Sequence, residues 1–200
     1  MHKRDLLKSI EALKNGKIVV YPTDTLYALG ADIYNKDAIK KIFEIKRRPF
    51  NIPLPVAVSN SNEIERVAFV DVETKRFIKR FLPGPLTVIL YKKDMDLDMV
   101  VGGLDKIAIR IPNNKIALEL LSKFGGPLTA TSANIHGKET PHVIKEIKMQ
   151  FNKEDIAAYL DYGILAGEPS TIVDLTTEKP IIVRKGIITE EEILDAIQHG

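Results

Sequence analysis

The sequence predicts an α/β fold in which a twisted, mixed, largely antiparallel sheet is flanked by helices. Short apolar runs rich in β-branched residues intersperse with amphipathic segments of helical period. Their order lacks the strict strand–helix alternation of a doubly wound fold. No linker, repeat or low-complexity segment interrupts the 200 residues, so residues 1–200 are expected to form a single domain. A chain of this length can bury about 70% of its extended surface and needs no stapling.

Asp5 to Lys14 sets Leu6, Leu7, Ile10 and Leu13 on one helical face, and Gly16 can take the positive φ that ends the helix. A strand over Lys17 to Tyr21 follows, and it breaks at Pro22 into Thr23-Asp24-Thr25. Asn35 is a good N-cap for a helix through Ala38, Ile39, Ile42, Phe43 and Ile45, which delivers Lys46, Arg47 and Arg48 at its C-terminal end. Pro49 and Pro53 force extended chain, and Leu54 to Ser59 reads as a strand. Helices over Asn62 to Ala68 and Val72 to Phe81 end at the Pro83-Gly84-Pro85 turn. Strands over Leu86 to Tyr91 and Ile107 to Ile111 bracket Lys92 to Lys106, whose Gly102-Gly103 pair and acidic tip predict a mobile loop. A helix over Asn114 to Phe124, a short strand over Leu128 to Thr131 and a helix near His142 to Phe151 come next. Strands at Thr171 to Leu175 and Ile181 to Arg184 precede a final helix over Thr189 to Gln198, opened by a Thr189–Glu192 capping box.

Composition excludes several chemistries. The chain has no cysteine, which removes disulfides, thiolate zinc sites and thiol nucleophiles together. The segment Met1 to Leu7 enters an amphipathic helix without the apolar core of a signal peptide, and no apolar run approaches the roughly 18 residues of a membrane helix. A soluble cytoplasmic protein with no membrane partner is expected. Lysine plus arginine number 29 against 27 acids, so affinity for phosphates has to come from local clustering. The common phosphate loops and the nucleophile elbow are absent. His2, His136, His142 and His199 lack metal-ligand spacing and read as surface residues.

Several segments carry candidate chemistry. Lys46, Arg47 and Arg48 are either solvated cations at a helix C-terminus or an anion site whose direction is fixed by Pro49-Phe50-Asn51-Ile52-Pro53. Thr129 to Asn134 ends a strand in small residues and hydroxyls, which suits either a ligand at a strand end or a simple Ser/Asn turn. Arg110 interrupts an apolar strand, so it points to the solvent face by alternation or is buried with an anionic partner. Gly167 to Asp174 and Arg184-Lys185-Gly186 repeat the pattern of hydroxyls or a cation beside glycine.

Taken in order, Pro22-Thr23-Asp24-Thr25 with Tyr27-x-Leu29-Gly30, Lys46-x-Arg48-Pro49, Pro83-Gly84-Pro85-Leu86-Thr87, Arg110-x-Pro112, Thr131-Ser132-Ala133-Asn134, Ser170-Thr171-Ile172-Val173-Asp174 and Arg184-x-Gly186 resemble the YrdC-like threonylcarbamoyl-adenylate synthases. The similarity runs from about Ile18 to Gly186. It implies a YrdC/RibB-like fold around a basic groove. It also implies a nucleotidyltransferase that makes threonylcarbamoyl-AMP and pyrophosphate from L-threonine, bicarbonate and ATP. The product serves threonylcarbamoyladenosine at position 37 of transfer RNA, through a partner transferase complex, with the RNA itself a candidate direct contact.

By the same resemblance, Lys46, Arg48, Ser132 and Asn134 match the family's Lys-x-Arg and Ser-x-Asn signature, expected to hold nucleotide and reacting groups. Thr25, Arg110, Ala130 and Ser170 fall near threonine, with Arg110 the natural partner of its carboxylate. Arg48, Ile52, Lys106, Ser132, Thr140 and Arg184 fall where ATP is expected. Magnesium is the expected metal companion of ATP, with no ligands assigned. Two departures stand out. The family usually has glycine at the position of Ala28, which tolerates alanine only at negative φ. Longer relatives cover the site with a second C-terminal domain, so shielding of the labile adenylate is expected from a local loop, the end of the chain or a partner. The competing readings are an RNA-binding module without turnover and a carbamoyl-transfer enzyme of hydrogenase maturation, the latter disfavoured by the missing cysteine motifs.

Overall fold

A computed structural model describes residues 2–165 and 167–198. Helix α1 (His2–Lys14) lays Leu6, Ile10 and Leu13 on Ala117, Leu120 and Leu121 of α5 (Lys115–Phe124), with Val19 and Tyr21 beneath. After Gly16, at φ +68°, the chain enters β1 (Val19–Pro22), which pairs antiparallel with β2 (Tyr27–Gly30). Both strands are buried along their whole length, which is why β1 reads as an unbroken apolar run instead of alternating. Thr23 ties the hairpin turn. Its hydroxyl donates to the Leu26 carbonyl at 2.6 Å and accepts from the amides of Thr25 and Leu26, each at 3.1 Å.

Helix α2 (Lys36–Lys46) is capped by the Asn35 side chain on the Ala38 amide and buries Ala38, Ile39, Ile42 and Phe43. The chain continues through β3 (Val56–Ala57), α3 (Ser61–Val67), α4 (Val72–Phe81), β4 (Leu86–Tyr91) and β5 (Lys106–Arg110). After α5 come β6 (Leu128–Thr129), β7 (Thr131–Ser132), α6 (Ile144–Gln150), β8 (Ala158–Tyr159), β9 (Thr171–Asp174), β10 (Ile181–Arg184) and α7 (Glu190–Gln198).

The strands form two sheets, ordered β7-β2-β1-β8 and β10-β9-β4-β5-β3-β6. Pairing is mixed and mostly antiparallel, with parallel contacts at β1–β8, β3–β5 and β4–β9. Val20, Tyr27 and Leu29 of the first sheet share one buried cluster with Val56, Val88, Ile109 and Val173 of the second. In the larger sheet, period-two alternation turns Val88, Leu90, Ile107, Ile109 and Val173 into that core. Thr87, Ile89, Ala108, Arg110 and Ile172 face the other way, into a cleft.

Thr129 stitches the sheets together. Its amide donates to the Ala31 carbonyl at 2.9 Å, its hydroxyl donates to Leu29 O at 2.7 Å and accepts from Ala31 N at 3.0 Å, and its carbonyl accepts from the Tyr21 hydroxyl at 2.9 Å.

The expected elements are present with instructive differences. Leu128 to Thr131 is two strands in different sheets, because the chain crosses between them at Ala130, whose amide bonds Pro55 O at 2.7 Å. The strand expected over Leu54 to Ser59 pairs only at Val56 and Ala57. Strands β2 and β8 were not expected: β8 has only two residues, and β2 is buried along its whole length and so shows no alternation. The segment Lys92 to Lys106 is not the mobile loop its glycines and acids imply. It contains a 3-10 turn at Met95–Leu97, buries Leu97, Val100 and Val101, and accepts the Leu54 amide on Val100 O at 2.8 Å. Ala28 sits in β2 opposite Tyr21 and Ser132 and is absent from the positive-φ residues, so the missing glycine costs nothing.

Thr129→Val keeps the shape but leaves Ala31 N unpaired in the interior and removes the hydroxyl's bond to Leu29 O. It should lower unfolding free energy by about 1–3 kcal/mol, read as a lower urea midpoint at unchanged m-value.

Candidate ligand cleft

A cleft of about 480 Å³ opens between the β1–β2 turn, the Ile52–Pro55 stretch, the start of β7, and the outer face of β4, β5 and β9. Among its lining residues are three cations, Arg48, Arg110 and Arg184, and no carboxylate. Thr25, Ile52, Ala130, Ser132, Thr140 and Ser170 also line it, so residues from six distant stretches of the sequence meet at one surface.

The α2 terminus sorts its three cations. Arg47 closes the helix in the left-handed conformation, φ 51°, with its side chain exposed. That reversal sends its neighbours inward on either side. Lys46 is 1% exposed, and its ammonium donates to Ser132 O at 2.5 Å, Asn134 O at 2.7 Å and Asn134 Oδ1 at 3.3 Å. These three acceptors saturate its three protons. Burial, with the nearby Arg48 charge second, lowers its pKa to about 7. Asn134 Oδ1 also accepts the Ser132 hydroxyl at 2.6 Å, while Asn134 Nδ2 donates to Lys138 O at 2.6 Å. Lys46 and Asn134 therefore stand behind the cleft wall and shape the turn that presents Ser132.

Arg48 reaches the cleft itself. Nε donates to Ile52 O at 3.1 Å and Nη2 to Pro53 O at 2.8 Å, so the proline-stiffened segment holds the guanidinium by its backbone. Burial lowers the pKa of this group as well.

Across the cleft, Arg110 is both of the things its sequence position allowed. Alternation turns it away from Ile109, and it is nonetheless buried with an anion. Nη2 donates to Asp24 Oδ1 at 2.6 Å and Nη1 to the Thr25 hydroxyl at 3.0 Å. Asp24 Oδ2 and Arg110 Nε, both inaccessible, have no hydrogen-bond partner. Beside them, Ser170 shares a 2.8 Å hydrogen bond with Thr87, and Arg184 donates to Ser170 O from Nε at 3.1 Å and from Nη2 at 2.8 Å. The Arg184 pKa is lowered, first by burial and then by the charge of Arg110.

Two glycines set this wall. A Cβ on Gly167 would collide with the Thr25 carbonyl, and one on Gly186 with the Pro169 carbonyl and the Ser170 backbone. The Ser170 segment thus packs backbone to backbone on both sides.

Lys106 shares the strand face of Ala108 and Arg110 but lies outside the cleft, where Nζ meets Asp174 Oδ2 at 3.2 Å. His136 and His142 are exposed, and the His142 ring still bonds Leu165 O at 2.5 Å; His199 falls outside the described residues. The residue that sequence reasoning left without a role is Asp24. Its signal was a carboxylate between two threonines at a strand end, with a lone arginine in a later strand.

The chain matches the Sua5/YciO/YrdC family model, described as "Telomere recombination", over residues 11–186, and it belongs to that family. A Methanocaldococcus jannaschii protein named putative threonylcarbamoyl-AMP synthase is 42% identical over 96% of this chain and 93% of its own length. The structure of Pyrococcus abyssi Sua5 complexed with L-threonine superposes at a TM-score of 0.92 and 35% identity, covering 98% of this chain and 58% of that one. Escherichia coli YciO superposes at 0.87 and 30% identity, covering 96% and 94%. The chain therefore spans little more than half of Pyrococcus Sua5 and nearly all of the shorter relatives.

The lowered Lys46 pKa has a definite sign. Between about pH 7 and 10.5 the unfolded chain holds a proton that the folded chain releases, so this site makes stability rise with pH across that window. The slope is at most about 1.4 kcal/mol per pH unit. Denaturant midpoints measured from pH 7 to 10 should show this rise in the native protein and lose it in Lys46→Met.

Proposed function

We propose that this chain is an L-threonylcarbamoyladenylate synthase acting in the cytoplasm, with residues 1–200 as a single YrdC-like domain. It joins L-threonine, bicarbonate and ATP, releasing pyrophosphate and water. The threonylcarbamoyl-AMP goes to a transferase complex that modifies transfer RNA at position 37, with direct contact to the RNA as part of the hand-over. The observation that carries the reading is the convergence of Thr25, Arg48, Arg110, Ser132, Ser170 and Arg184 on one cleft lined by cations and hydroxyls without a carboxylate. The likeness to a threonine-bound Sua5 supports it.

In this reading the ammonium of threonine gives up a proton to solvent, the neutral amine captures bicarbonate with loss of water, and the resulting N-carboxylate attacks the α-phosphate as pyrophosphate leaves. Every reactant carries negative charge, so holding them together and neutralising charge are the main tasks. Arg110 and Thr25, with Ala130 and Ser170 beside them, take the amino acid. Arg48 and Arg184 take the phosphates with Ser132, while Ile52 and Thr140 bound the nucleotide and Lys106 reaches it only by leaving Asp174. Lys46 and Asn134 act by holding the turn that aims Ser132. Magnesium in this reading arrives on the triphosphate. The RNA-binding module has weaker support, because the only aromatic residue lining the cleft, Tyr27, is fully buried and offers no stacking platform.

Omitting L-threonine or bicarbonate should abolish pyrophosphate release from ATP, and release indifferent to threonine would reject the assignment. Arg110→Ala should raise the KM for threonine at least tenfold more than that for ATP, since a guanidinium fork suits a carboxylate; equal losses would place Arg110 elsewhere.

A further inference from the structure

The ion pair between Arg110 and Asp24 is incomplete in a specific way. A guanidinium and a carboxylate usually meet through two parallel hydrogen bonds, but here a single one joins them, at 2.6 Å. Each partner keeps one buried atom unpaired: an acceptor, Asp24 Oδ2, and a donor, Arg110 Nε. Buried polar atoms are rarely left so, and each costs free energy until a partner arrives. The two vacant valences have opposite character and lie on neighbouring groups. An α-amino acid carries a matching pair, an anionic carboxylate and a cationic amine on one carbon.

Charge strengthens the match. Arg48, Arg110 and Arg184 all line the cleft, and an ammonium brought among them is repelled unless an anion receives it. Of the carboxylates on the described residues, Asp24 is the one bonded to a cation of that lining. It sits at the tip of the β1–β2 turn between Thr23 and Thr25, both of which line the cleft.

We propose that Asp24 is the amine-recognising residue of the amino-acid subsite: the Asp24–Arg110 pair opens to admit a zwitterion, whose carboxylate takes Arg110 while its ammonium takes Asp24. This rests on the synthase reading given above and adds to it a specificity determinant for α-amino acids over other carboxylic acids. Paired in this way each charge satisfies the other, and the substrate replaces one internal pair by two.

The test is calorimetric titration, without ATP or bicarbonate, of L-threonine and of 2,3-dihydroxybutanoate, in which a hydroxyl replaces the amine. The native protein should bind threonine and discriminate against the deaminated acid. Asp24→Asn should weaken threonine binding by about tenfold to a hundredfold while leaving the deaminated acid unweakened or binding it more tightly, since no ion pair then has to open for it, and Asp24→Glu should restore part of the preference. Equal weakening of both acids would overturn the proposal in favour of a purely orienting role for Asp24 on Arg110. Tighter binding of both would overturn it in favour of simple competition for the guanidinium. Should Asp24→Asn fail to fold, the native protein and Asp24→Glu decide, since equal binding of the two acids to the native protein is incompatible with amine recognition. A native protein that binds ATP but not threonine would reject the synthase reading itself.

Discussion

The site depends on cations held by backbone carbonyls. Lys46 is fixed by the carbonyls of Ser132 and Asn134, Arg48 by those of Ile52 and Pro53, and Arg184 by that of Ser170. A carbonyl dipole fixes the direction of a cation without cancelling its charge, as a carboxylate would. The pKa of each of the three is lowered, with burial the first cause, because each cation is kept from water with dipoles beside it instead of an anion. An anionic ligand supplies what the protein withholds.

That constraint explains the surrounding architecture. The carbonyls aimed at cations lie where the ladders are short or stop: the Pro49–Pro53 stretch, the end of β7 with the turn after it, and the residue before β9. The 3-10 segment packed on Leu54 is one consequence, because a strand-like chain without a long ladder needs support from elsewhere. The crossing at Ala130 between the two sheets brings Ser132 to the cleft that Arg110 also lines, while Thr129 bonds one sheet to the other.

Much of this was legible in the sequence, and the remainder has physical reasons. Amphipathic helices such as α2 and α5 declared themselves by period, α2 also by its asparagine cap, and the residues of the cleft were marked by hydroxyls and cations beside proline or glycine. Strand β8 was not legible, because two paired residues carry no period. The split of Leu128 to Thr131 depends on which neighbour each residue meets, which is long-range information. The Lys92 to Lys106 segment misled because glycine and acid outweighed Leu97, Val100 and Val101, whose burial needs a core that only the fold supplies. The opposite roles of Lys46 and Arg48, one saturated behind the wall and one aimed through it, follow from the left-handed turn at Arg47, which a lysine–arginine–arginine run does not announce.

The close approach at Gly167 and Gly186 gives the cleft an unusual kind of gauge. Its width on the Ser170 side is fixed by two side chains that do not exist, at positions that do not line the cleft and carry no charge. A methyl group at either one pushes a backbone aside and shifts Ser170 relative to Arg184 and Thr87. The chain can therefore drift in the identity of much of its surface, yet it has no freedom to grow at these two points. Evolution of a wider or narrower cleft in this fold has to begin by re-routing the backbone there, not by exchanging the residues that face the substrate.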